Sequence, residues 1–146
     1  MDHSADFDLF IGLILAKLYE LRGTRPTLSP EDFGLLDPSD PKGGRWDTWA
    51  NAFKWLQEEG YVRGKDMGQG SHGEPSFSDT ELTERGFRVL NSVPSALASK
   101  GSSESLGKQL TDAAKRIGSK STEKWAQRGA DEAVRRLIEI VHGWLS

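Results

Sequence analysis

A mainly α-helical chain with one small β-hairpin, continued by a C-terminal helical extension of two helices, is the fold class the sequence predicts. Three observations predict it. Apolar residues recur at three- and four-residue steps in several separate segments of the 146-residue chain. Two short strand-like segments flank a single glycine-rich stretch, residues 64–73. A Ser-, Ala- and Gly-rich segment at 95–105 has linker composition and divides a domain at 6–94 from a helical region at 106–146.

The elements follow in order. Phe7, Phe10, Ile11, Ile14, Leu18 and Leu21 set a helical stripe over Asp6–Leu21, and Leu9, Leu13 and Leu15 widen it beyond one face. Gly23 stops this helix, and Pro26 favours an extended segment over 24–28. Ser29-Pro30-Glu31-Asp32 reads as a capped start of a short second helix ending near Leu36. The Pro-, Asp- and Gly-rich run at 37–44 is a loop. Trp46–Glu59 is a third helix with Trp46, Trp49, Ala50, Phe53 and Leu56 on its buried side. Tyr61, Val62 and Arg63 begin a strand, Gly64–Gly73 reads as a mobile turn, and Phe77–Leu82 returns as the second strand. Thr83–Val93 is a fourth helix, ended by Pro94.

Beyond the linker, Leu106, Leu110, Ala113, Ala114 and Ile117 form one stripe. Ala126, Ala130, Ala133, Val134, Leu137, Val141 and Trp144 form another. On one straight helix they would face nearly opposite sides, so a break is required, best placed at Gly118–Ser121.

Composition bounds function. Leu, Ile, Val and Phe total 32 of 146 residues, enough for a modest core. The chain has no cysteine, which removes disulfides, thiol nucleophiles and cysteine metal sites. His3, His72 and His142 lie far apart without ligand spacing, so no metal and no cofactor is expected. No nucleophile motif or phosphate-binding loop is present, and the reading is non-enzymatic. The longest uncharged apolar run, Leu9–Ala16, is too short to span a bilayer, and the acidic start does not resemble a signal peptide. A cytoplasmic protein without membrane insertion is expected. The net charge of −3 divides into −6 for residues 1–99 (10 basic, 16 acidic) and +3 for residues 100–146 (9 basic, 6 acidic).

The segment Phe53-Lys54-Trp55-Leu56-Gln57-Glu58-Glu59-Gly60-Tyr61-Val62 resembles the end of a recognition helix entering the wing in PadR- and MarR-like regulators. Leu82-Thr83-Glu84-Arg85-Gly86 resembles their second wing strand running into an L-T-x-x-G helix start. The two motifs stand in the expected order across a glycine-rich wing, and the resemblance covers residues 6–95. It implies a winged helix-turn-helix domain, double-stranded DNA as partner, and a homodimer held by terminal helices, here residues 105–145. The DNA-binding protein so implied is a transcription regulator.

On that reading Arg45, Lys54, Arg63 and Lys65 hold phosphates, with Lys42 ahead of the helix and His72 near the wing tip. Thr48 and Asn51 meet base edges. Asp47 and Glu58 on the same helix face oppose phosphate binding. The alternative is a protein–protein interaction module. Trp55 lies about 160° from Phe53 on the helical wheel and so points outward, where it would serve a partner together with Leu137, Val141 and Trp144. Cover of Trp55 by the C-terminal helices is the plain structural explanation.

Overall fold

The computed structural model describes residues 3–33, 44–71, 73–92, 104–118 and 132–145. Among them are five α-helices and one two-stranded antiparallel hairpin. They are α1 (His3–Glu20), α2 (Gly44–Glu58), β1 (Val62–Gln69), β2 (Pro75–Leu82), α3 (Glu84–Leu90), α4 (Leu106–Gly118) and α5 (Glu132–Leu145). A 3-10 turn, Pro30–Phe33, follows α1 ahead of α2.

The wide apolar surface of α1 has a direct cause. This helix is central, with α2, α4, α5 and β2 all packed against it. Leu9, Phe10, Ile11, Leu13, Ile14, Leu15, Ala16 and Leu18 are all buried, as a helix apolar on every side requires. Gly12 sits where α5 comes closest. A Cβ there would stand 2.9 Å from Val141 Cγ2 and 3.1 Å from Leu137 Cγ, so the absent side chain sets the approach of the two helices.

The core continues without a break from Trp49, Phe53 and Leu56 of α2 through α1 to Leu106, Leu110 and Ala113 of α4 and Leu137, Ile140 and Val141 of α5. The two C-terminal helices are separate elements, described to Gly118 and from Glu132, and the expected break at Gly118–Ser121 falls largely among residues 119–131, outside the described residues. Of the segment read as a linker, residues 95–103 also lie outside them. Its flanks meet directly, because the Leu106 amide donates to the Ser92 carbonyl at 2.8 Å.

Two elements differ from the sequence reading. The second helix is only the 3-10 turn over its described part. Asp32 folds back on Ser29, accepting from its amide at 2.9 Å, and this local bond closes the turn. Its expected continuation to Leu36 lies outside the described residues. The larger correction concerns Gly64–Gln69, which is strand rather than turn. Gly64 lies in the strand hard against α2: a Cβ there would stand 3.0 Å from the Phe53 ring and 3.1 Å from Thr80 Cγ2, closer than ordinary contact. Packing thus overrides the loop propensity of the glycines.

The hairpin is joined on the other side of β2 by the extended segment after α1. Leu28 and Phe77 exchange backbone hydrogen bonds at 2.8 and 3.0 Å, and the Thr80 amide donates to the Pro26 carbonyl at 3.1 Å. Thr83 caps α3, its hydroxyl accepting from the Gly86 amide at 3.1 Å and donating to the Gly60 carbonyl. Gly86 lies against Tyr61, where a Cβ would overlap the Tyr61 carbonyl oxygen. The Thr-x-x-Gly spacing is therefore one local device that fastens α3 to the end of α2.

Candidate nucleic-acid interface

α2 buries Trp49, Ala50, Ala52, Phe53 and Leu56 and exposes Asp47, Asn51, Lys54 and Glu58. Thr48 is half-buried. Lys42 and His72 lie outside the described residues, as does the side chain of Arg45. The C-terminal helices stack on α1, and the Asn51–Lys54 stripe faces solvent.

Trp55 is half-buried. The Phe7 ring meets it edge-on with centroids 6.1 Å apart, and Tyr61 lies 6.2 Å away on another side. Tyr61 in turn holds Trp144 of α5 at 5.2 Å, and the Arg85 guanidinium lies 4.7 Å from the centre of the Tyr61 ring. Arg85 also donates to the Tyr61 hydroxyl at 3.2 Å. The C-terminal helix therefore reaches the aromatic cluster through Trp144, while Phe7 does the direct covering of Trp55. Leu137 and Val141 are fully buried against α1, inside the chain's own core.

The hairpin has two chemically different faces. Val62, Gly64 and Asp66 of β1 face α2: Val62 is buried, Gly64 touches Phe53, and Asp66 pairs with Lys54 at 4.0 Å. By strand alternation Arg63, Lys65 and Met67 face the other way. Contacts from β2 agree. Arg63 stands opposite Glu81 and pairs with it at 3.6 Å. Lys65 stands opposite Ser78, whose hydroxyl lies 3.2 Å from Met67 Sδ. Glu81 also binds Arg25 at 3.3 Å. Lys54 is thus separated from Arg63 and Lys65 by the thickness of the hairpin, and these three cations do not form one patch.

Sequence reasoning missed Arg25 and Glu81. The extended segment at 24–28 was legible from Pro26. Its pairing with a strand more than fifty residues away, which carries Arg25 to Glu81, has no local signal. Among the described residues no group of His, Asp or Glu is arranged to hold a metal ion, and no helix is long and apolar enough to cross a membrane. Compared with protein-family models, curated proteins and solved structures, the chain has no match in any of the three.

Proposed function

We propose that the protein is a winged-helix DNA-binding protein that acts on transcription by occupying duplex sites, with α2 and the β-hairpin turned to the DNA. The observation that carries this reading is the open surface formed by Asn51 and Lys54 of α2 beside the largely exposed strand β1. The order helix, short extended segment, 3-10 turn, helix, hairpin, helix agrees with it. The ion pairs on this surface do not oppose it. Exposed pairs contribute about 0–1 kcal/mol, so a phosphate can replace the carboxylate partner.

Trp55, the anchor a protein partner would need, is held by Phe7 and Tyr61 of the same chain. Leu106, Leu110 and Ala113 of α4 and Leu137 and Val141 of α5 are buried in the chain's own core, so a homodimer would use other parts of these helices. On this reading the protein acts as a homodimer.

The test is a fluorescence-anisotropy titration of labelled, sequence-pooled duplexes at low ionic strength, repeated as salt rises. Binding that weakens steeply with salt is expected, because displaced counterions accompany each phosphate contact. No binding at low salt, or an affinity indifferent to salt, would overturn the proposal.

A further inference from the structure

The passage from α2 into the hairpin is one sharp joint. Gly60, with a φ of +80°, follows the helix, and its amide donates to the Gln57 carbonyl at 3.0 Å. The Tyr61 amide donates to the Leu56 carbonyl at 2.9 Å. These two bonds make the Schellman close of a helix. Its usual apolar contact, from the residue after the glycine back to the last turns, is made by Tyr61 on Trp55 with centroids 6.2 Å apart. β1 starts at the next residue, Val62. The direction in which the hairpin leaves α2 is therefore set at Tyr61.

Tyr61 is also held from beyond the joint. Its carbonyl accepts from the Thr83 amide at 3.0 Å, and the Arg85 guanidinium lies over its ring. Both come from the start of α3, which continues the hairpin. The contact with Trp144 is of another kind, because α5 packs on α1 and α4. The two rings meet at 5.2 Å and 67°, the edge-on geometry that aromatic pairs prefer. Phe7 of α1 closes the far end of the row on Trp55. The last turn of α5 thus rests on the joint between helix and hairpin.

We infer that Trp144 is a positioning residue, which acts through Tyr61 to set the angle between the hairpin and α2. What that angle serves rests on the proposed DNA binding, in which both elements must meet one duplex together. β1 has 8 residues, so its far end stands roughly 26 Å from the joint, and a swing of about 10° moves that end by about 4–5 Å. Such a displacement exceeds the length of a hydrogen bond. The C-terminal helix thereby controls whether α2 and the hairpin fit the same site.

Trp144→Ala and Trp144→Phe test this in the full chain, with circular dichroism as the fold control. Residual dipolar couplings of the backbone amides give the angle between α2 and the hairpin, and loss of a nearby ring current does not imitate a change in them. In Trp144→Ala the hairpin couplings should turn or shrink relative to those of α2, and Trp144→Phe should restore the native alignment. Duplex affinity at low salt should fall about fivefold in Trp144→Ala and return to within about twofold of native in Trp144→Phe. If Trp144→Ala loses helix, Trp144→Leu, which keeps apolar bulk without the ring, is read in its place with the same expectation. Unchanged couplings, or changed couplings with native affinity, would overturn the inference. Changed couplings in a protein whose native form binds no duplex would keep the positioning role and overturn the DNA-binding reading instead.

Discussion

Asp79 has a φ of +50° within β2, a conformation that a side chain other than glycine adopts at a cost. Its position explains why the conformation is kept. β2 carries one extra residue against β1 here, between the pairs Arg63–Glu81 and Lys65–Ser78. The bulge turns Thr80 inward, where its hydroxyl donates to the Pro26 carbonyl, and sets Glu81 beside Arg25 and Arg63. Aspartate tolerates the left-handed region better than most residues, whereas valine crowds it. Asp79→Val should therefore lower stability by about 1–2 kcal/mol, while Asp79→Gly should leave it nearly unchanged. Denaturant midpoints check this, and equal losses for the two variants would contradict the bulge account. Thr83 supports a second prediction. Thr83→Ala removes the α3 cap and should cost about 1 kcal/mol, and Thr83→Ser should recover most of it by restoring the hydroxyl.

At the scale of elements, the attachment of α5 to α1 is set by Gly12 and finished by two contacts near the end of α5. His142 Nε2 lies 2.8 Å from Oδ2 of the buried Asp8, and Trp144 packs on Tyr61. Gly12→Val would force α5 outward and should lower stability by about 1–3 kcal/mol. Gly143 in the same α5 has open space around its Cα, so Gly143→Ala should instead gain up to about 1 kcal/mol through helix propensity. Thermal melts of the pair check the contrast, and a similar loss for both would show that α5 does not dock closely on α1.

The elements also show where the sequence was readable. The stripes of α1, α2, α4 and α5 and the Thr83–Gly86 start of α3 are local patterns, and their elements form where the described parts of those patterns lie, Ala126 and Ala130 of the last stripe being outside the described residues. Gly64–Gln69 reads as part of a turn in the sequence because glycine composition is also a local signal. The cause of the strand, the Phe53 ring under Gly64 and the partner strand β2, is tertiary. Trp55 shows the same limit. A helical wheel measures its direction within α2 and contains nothing about Phe7, which comes from the first turns of α1 to cover it.

For the whole molecule, the division into an acidic portion and a basic tail does not describe how charge is laid out on the hairpin. The net −6 of residues 1–99 averages over a hairpin with two differently charged faces. The candidate cations Lys54, Arg63 and Lys65 were visible as residues. Their separation onto two faces depended on strand alternation through Gly64, and the addition of Arg25 depended on the Pro26–Thr80 hydrogen bonds. The central proposal is that duplex DNA is met by α2 together with the β-hairpin. Its most direct test is a ¹H–¹⁵N correlation spectrum of the full chain titrated with a short duplex at low salt. Amide shifts should concentrate at Asn51 and Lys54 of α2 and along the exposed strand β1, including Arg63, Lys65 and Met67. Shifts confined to α4 and α5, or an unchanged spectrum at low salt, would contradict it.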